Sequence, residues 1–177
     1  KRLDVKLGSP INLMSSSDWF KYVKKLNNKV VAMTINGKLA AIFEMTDHLR
    51  LDTRQTICEL QKRAIKPMII TGDNFIAAQR IVQKLKIKGK VVEVSELSTI
   101  QNIKEVSAIC EVLPEDKLMI LKLLKNKGYV VGMVGDGMND APALKAADVG
   151  IATSNAVDLA KQSAGIIMQK EGIGSIT

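Results

Sequence analysis

The feature that most constrains the fold of this chain is a regular alternation of two kinds of segment from about residue 46 onward. Short runs made almost entirely of apolar residues are separated by longer segments whose apolar residues recur at helical spacing. The apolar runs occupy residues 67–70, 108–112, 130–134 and 149–152. Strands that are apolar on both faces and joined by such helices predict an α/β fold, with a parallel sheet flanked by helices.

Residues 1–43 follow a different pattern, which predicts a small α+β unit. Ser16 and Ser17 can cap a short helix that runs through Leu26. Two apolar runs then flank Asn36-Gly37, a pair that favours a β-hairpin because both turn residues must tolerate a positive φ. The sequence therefore predicts two domains, 1–43 and 44–177.

Composition excludes some classes of function. Aromatic residues make up only 3% of the 177 residues, which leaves few rings for stacking bases and argues against a nucleic-acid partner. The formal net charge is +8, but the lysines are scattered at helical spacing, so most of them are interpreted as a solvated charged surface. No apolar run approaches the roughly 18 residues that span a bilayer.

Three polar clusters follow predicted strands, at the points where those strands end. They are TGDN at residues 71–74, PEDK at 114–117 and GDGMND at 135–140. Ligands of open α/β sheets bind at the carboxyl ends of the strands, so we expect the three clusters to lie close together.

Each cluster has a use in binding a phosphoryl group. Thr71 offers a hydroxyl, and Gly72 frees a backbone amide at a helix start, where phosphate oxygens bind. Lys117, one turn into a helix, can place a positive charge on the same oxygens. Asp136 and Asp140 are carboxylates in a tight turn that suits Mg²⁺, which prefers oxygen ligands. Together these residues predict a phosphoryl-transfer site.

Each cluster alone also has a purely structural interpretation. TGDN can be a helix start in which Asp73 or Asn74 is only the cap, and Lys117 can be a solvated charge. GDGMND can be a turn closed by an Asx cap. All three at successive strand ends of one sheet are much harder to explain by structure alone.

The same residues resemble a known family. The segments TGDN, EVLPEDK and MVGDGMNDAPALKAADVGIA closely resemble the P-type ATPases of the haloacid dehalogenase-like superfamily. This implies a haloacid dehalogenase-like (Rossmann-like) parallel sheet for residues 44–177, the phosphorylation domain. Residues 1–43, with KLGSPINLM and the hairpin, look like a remnant of the nucleotide-binding domain, namely its C-terminal part.

The resemblance also implies roles, with ATP and Mg²⁺ as cofactors. Thr71 and Lys117 would be catalytic, by binding and neutralising the transferred phosphoryl group, and Asp136 and Asp140 would form the metal site. The residues that would bind nucleotide or phosphate are Gly8, Gly72, Asp73 and Asn139.

One departure from the family pattern is large. The phosphorylated aspartate of these ATPases lies in a DKTGT motif on the first strand of the sheet, and this sequence has no such motif. Asp47, Asp52 and Asp73 lack the surrounding pattern. We expect residues preceding Lys1 in a longer polypeptide to supply that strand, and we expect the isolated chain to be inactive.

The resemblance implies that the whole protein is a cation pump. This chain would be a cytosolic portion of it, next to an integral membrane domain. Its partners would be ATP, the transported cation and the rest of the pump. The N-terminal segment favours a heavy metal, copper first, whereas the tail from residue 152 looks more like proton pumps. A soluble phosphatase of the same superfamily and a degenerate, non-enzymatic binding module are the alternatives.

Overall fold

The computed structural model describes residues 3–13, 29–45 and 49–177. The chain forms two compact units, Lys1–Leu49 and Arg50–Thr177. The boundary predicted from sequence lay at residue 43, and the assignment of the two units to a nucleotide-binding and a phosphorylation domain stays a prediction. The helix predicted after Ser16 and Ser17 lies outside the described residues.

The first unit is built on a three-stranded antiparallel sheet in the order β1-β2-β3. Its elements are β1 (Val5–Gly8), α1 (Pro10–Leu13), β2 (Lys29–Ile35) and β3 (Lys38–Met45). Asn36 and Gly37 turn the chain between β2 and β3 with φ values of 50° and 74°. The predicted hairpin is confirmed, because these left-handed conformations are the ones that Asn-Gly tolerates.

The second unit alternates strand and helix as its periodicity predicts. Its helices are α2 (Leu51–Lys62), α3 (Phe75–Leu85), α4 (Pro114–Asn126), α5 (Ala141–Ala146) and α6 (Asp158–Ser163). Its strands are β4 (Ile69–Ile70), β5 (Lys90–Glu93), β6 (Val106–Cys110), β7 (Gly132–Gly135), β8 (Val149–Ala152) and β9 (Ile166–Ile167). Short 3₁₀ helices cover Val94–Thr99, Ile103–Glu105, Met138–Asp140 and Gly174–Ile176.

All strands of the second unit pair in parallel, which confirms the α/β class, but they form two sheets instead of one. The orders are β4-β6-β5 and β7-β8-β9. Within the described part of the chain, β4 therefore pairs only with β6, and β7 only with β8. β4 and β7 are thus edge strands of their sheets. Among the described residues, no strand pairs with the outer edge of either.

The core of the second unit lies around β6, whose five residues are all buried. Ile109 and Val106 pack with Ile120 of α4 and with Val92 of β5. A second cluster holds α5 and α6 on β8 through Leu144, Ala152, Ala156 and Ala160. Among the described helices, none combines the length and the apolar character that crossing a bilayer requires.

Candidate phosphoryl-transfer site

The turn after β4 is closed by the side chain of Thr71. Its Oγ1 donates to Asp73 Oδ2 and accepts from the Asp73 amide, both at 3.1 Å. Asn74, not Asp73, caps α3, because its Oδ1 accepts from the Ala77 amide at 3.0 Å. The cap explains Asn74 structurally and leaves Thr71, Gly72 and Asp73 in the turn ahead of the helix.

Backbone hydrogen bonds join this turn to the loop after β6. The Val112 amide donates to the Thr71 carbonyl at 3.1 Å, and the Glu111 amide donates to the Asp73 carbonyl at 2.9 Å. Glu111 adopts a left-handed φ of 56°, a conformation that is uncommon for a residue other than glycine. No pattern in the sequence predicts this link, since it depends on the pairing of β4 with β6.

Lys117 reaches the site from the first turn of α4. Pro114 opens that helix, and Asp116 closes its start by accepting the Leu113 amide at 2.8 Å. Lys117 Nζ then lies 2.6 Å from Asp140 Oδ1, in a pair whose side chains are 21% and 7% exposed. The ammonium is therefore held by a nearly buried carboxylate.

Asp140 also holds the turn after β7. Its Oδ2 accepts the Asp136 amide at 3.2 Å and the Gly137 amide at 3.1 Å. One buried carboxylate thus fixes both the loop that presents Asp136 and the ammonium of Lys117. The sequence motif predicted Asp140 as a metal ligand, and that role stays a prediction, but its oxygens already have these partners.

Asp136 differs from Asp140 because its own carboxylate is exposed. No hydrogen bond or ion pair to that carboxylate is found among the residues described. Its backbone is fixed from the other side as well, since the Asp136 carbonyl accepts the Val157 amide at 2.9 Å. Asn139 is exposed in the following 3₁₀ turn.

The structure places some of the predicted residues in direct contact, links others through the backbone and places Gly8 in the first unit. Lys117, Asp140 and the backbone of Asp136 are in direct contact, and the Thr71 turn is tied by backbone hydrogen bonds to the loop that leads into α4. Gly8 belongs to the first unit, where it pairs with Ala32 in the β1–β2 ladder. Its predicted role in nucleotide binding stays a prediction.

Gly135 is required by the close approach of Asp140. A methyl group on Gly135 would lie 2.6 Å from Asp140 Cβ and 2.9 Å from its Oδ2. We expect Gly135→Ala to displace the carboxylate and lower the free energy of unfolding by about 1–3 kcal/mol. Urea denaturation measures this.

Gly132, at the other end of β7, provides the matched control. A methyl group there meets nothing closer than the Val149 carbonyl oxygen, at 3.8 Å. Gly132→Ala should therefore leave the urea midpoint nearly unchanged. Equal losses in the two variants would show that Asp140 does not constrain Gly135.

The fold of the second unit and the polar strand ends define a class of protein. The model of the haloacid dehalogenase-like hydrolase family matches residues 6–148. The chain belongs to this family. P-type ATPases are among the relatives that it matches, so the resemblance predicted from the motifs is confirmed.

Three of these relatives illustrate the match. The chain is 37% identical over 139 residues to a copper-exporting P-type ATPase of Legionella pneumophila, covering 78% of this chain and 16% of that protein. It is 35% identical over 154 residues to a plasma membrane ATPase of Dunaliella bioculata, covering 78% of this chain and 14% of that protein. The crystal structure of a zinc-transporting PIB-type ATPase in its E2.Pi state matches with a TM-score of 0.67 and 30% identity, over 90% of this chain and 24% of that one. The chain thus spans less than a quarter of each relative.

Proposed function

We propose that the second unit holds the phosphoryl group of an aspartyl phosphate in an ATP-driven cation pump. The observation that carries this proposal is the contact series from Lys117 through Asp140 to the Asp136 loop, at the carboxyl ends of parallel strands. Lys117 neutralises the transferred phosphoryl group, and Thr71 and the Gly72 amide bind its oxygens. Asp140 keeps Lys117 and the Asp136 loop in position.

Mg²⁺ fits this arrangement through Asp136. Its exposed carboxylate has no other partner among the described residues, whereas Asp140 is engaged on both oxygens. No group of three acidic, histidine or cysteine side chains that could hold a metal occurs in the described part of the chain. One carboxylate is sufficient for Mg²⁺, which keeps waters and shares phosphate oxygens. Bound there, the ion would neutralise charge on the phosphoryl group.

The phosphorylated aspartate has to enter from a segment outside this chain. Asp52 is not a substitute, because its carboxylate accepts the amides of Ile173 and Gly174 at 2.9 and 2.8 Å. The outer edges of β4 and β7 carry no strand partner among the residues described, and Thr71 and Asp136 lie at or just beyond the ends of these strands. A parallel strand that added to these edges would end beside Thr71 and Asp136, which supports delivery of the aspartate on such a strand.

The reaction proposed for the whole pump is transfer followed by hydrolysis. The aspartate attacks the γ-phosphorus of ATP, the bond to the β-phosphate oxygen breaks, and ADP leaves. Water then cleaves the aspartyl phosphate to aspartate and inorganic phosphate. We infer that this cycle drives a heavy metal across the membrane, copper first, since a copper exporter is among the most similar relatives. The 35% identity to a plasma membrane ATPase supports a proton or other cation as the second candidate.

Phosphoenzyme labelling tests both parts of the proposal. Membranes that contain the whole pump are incubated with γ-labelled ATP and Mg²⁺, with Cu⁺, Ag⁺ or Zn²⁺ added singly or with chelator alone. We expect an acid-stable label that rises several-fold with Cu⁺. A label that is equal in every metal and in chelator would favour the proton candidate, and no label under any condition would contradict the pump itself.

A further inference from the structure

A basic cleft lies at the end of the β4-β6-β5 sheet opposite to the candidate site. Its lysines are Lys66, Lys88 and Lys104, and the cleft has a volume of about 300 Å³. Each lysine comes shortly before a strand: Lys66 before β4, Lys88 before β5 and Lys104 before β6. Because the strands are parallel, these segments meet at the amino ends, whereas Thr71 lies at a carboxyl end.

The positive charge of the cleft is only partly offset by neighbouring carboxylates. Among the described residues, neither Lys66 nor Lys88 has an ion pair within 4 Å, and Glu105 pairs with Lys90 at 3.8 Å. Lys104 Nζ lies 5.7 Å from the centroid of the Tyr129 ring, a contact that leaves its charge in place. Burial lowers the pKa of the Lys66 ammonium, against the opposing effect of Glu105. Among the described residues, the cleft therefore presents lysines without a carboxylate at ion-pair distance, with Glu105 acting on Lys66 from further away.

Apolar side chains also line the cleft, and one of them is exposed at its rim. Ile87 is buried at the base, Pro67 is half-buried, and Ile65 is 51% exposed. An exposed isoleucine beside lysines suits the surface of an anionic bilayer, where cations contact headgroups and an apolar side chain enters the acyl boundary. Single-stranded nucleic acid fits less well, because its bases stack on aromatic side chains. Among the described residues, Tyr129 is the aromatic side chain that contacts a lysine of the cleft.

We propose that this cleft, lined by Lys66, Lys88 and Lys104 with Ile65 at its rim, is a docking surface for an anionic lipid membrane. It lies away from the phosphoryl site, so binding there leaves Thr71 and Lys117 accessible. The cleft is a different surface from the phosphoryl site of the proposed function. The chain alone is therefore sufficient to test for membrane binding.

Flotation with lipid vesicles is the test. The chain is mixed with vesicles of phosphatidylcholine alone or with phosphatidylglycerol added, and the bound fraction is measured at low and high salt. We expect binding only to the anionic vesicles, weakened by salt. A lysine near such a surface strengthens binding about five-fold, so the triple variant K66Q/K88Q/K104Q should bind about 100-fold more weakly.

The matched control is K38Q/K122Q/K170Q, which removes the same charge from exposed lysines outside the cleft. This variant should keep most of the binding, and circular dichroism checks that both variants are folded. I65S should weaken binding at high salt, where the apolar contribution remains. Equal losses in the two triple variants, no binding to anionic vesicles by the unaltered chain, or a preference for single-stranded RNA over vesicles would each overturn the proposal.

Discussion

Lys117→Met should lower the free energy of unfolding by about 3 kcal/mol, the largest effect on stability that we expect of any single side chain in the candidate site. The substitution leaves the Asp140 carboxylate charged, nearly buried and without its cation. The two backbone amides that remain donate to Oδ2, so Oδ1 loses the ammonium, which is its partner among the described residues. Methionine has a helix propensity close to that of lysine, so α4 itself is not weakened.

An exposed ion pair separates this effect from a general loss of charge. Lys62 and Glu59 lie 2.7 Å apart, nearly as close as Lys117 and Asp140, but on the surface of α2. Lys62→Met should give no measurable change in the urea midpoint, because solvent screens such pairs. The amides of Asp136 and Gly137 should also exchange hydrogen faster in Lys117→Met but not in Lys62→Met. Equal behaviour of the two variants would contradict the buried pair.

Local patterns in the sequence predicted local structure well. Apolar residues at helical spacing predicted helices between the strands, and α3 is one of them, with Ala78, Val82 and Leu85 buried. Asn36-Gly37 predicted the hairpin, and the helix predicted to begin one turn before Lys117 is α4. These signals depend on residues a few positions apart, where dihedral preferences and side-chain direction decide the outcome. The strand of residues 67–70 was too long, since Ile69 and Ile70 alone pair with β6.

Pairing over long distances in the sequence could not be predicted in the same way. An apolar run shows that a strand is buried but not which strand lies beside it, so the division into two sheets was missed. The position of Asp140 shows the same limit. Its motif is equally consistent with a metal ligand and with a positioning carboxylate. The difference depends on Lys117, which lies 23 residues away in the sequence and reaches Asp140 only in the folded chain.

Asp136→Asn should abolish Mg²⁺-dependent phosphoenzyme in the proposed pump, with a loss of at least about 100-fold in the labelling rate. The change removes the one carboxylate of the site that has no other partner among the described residues. It should not disturb the fold, because the loop is held by the backbone amide and carbonyl of Asp136, which asparagine keeps. Labelling with γ-labelled ATP over a range of Mg²⁺ concentrations measures the loss.

The control is Asp158→Asn, which makes the same chemical change at an exposed position in the first turn of α6. This variant should label as the unaltered pump does. A higher Mg²⁺ concentration should restore part of the labelling of Asp136→Asn if asparagine still offers the ion a weak oxygen ligand. Full labelling of Asp136→Asn at low Mg²⁺ would instead remove Asp136 from the metal site. In that case Asp140 could bind the ion only by releasing Lys117.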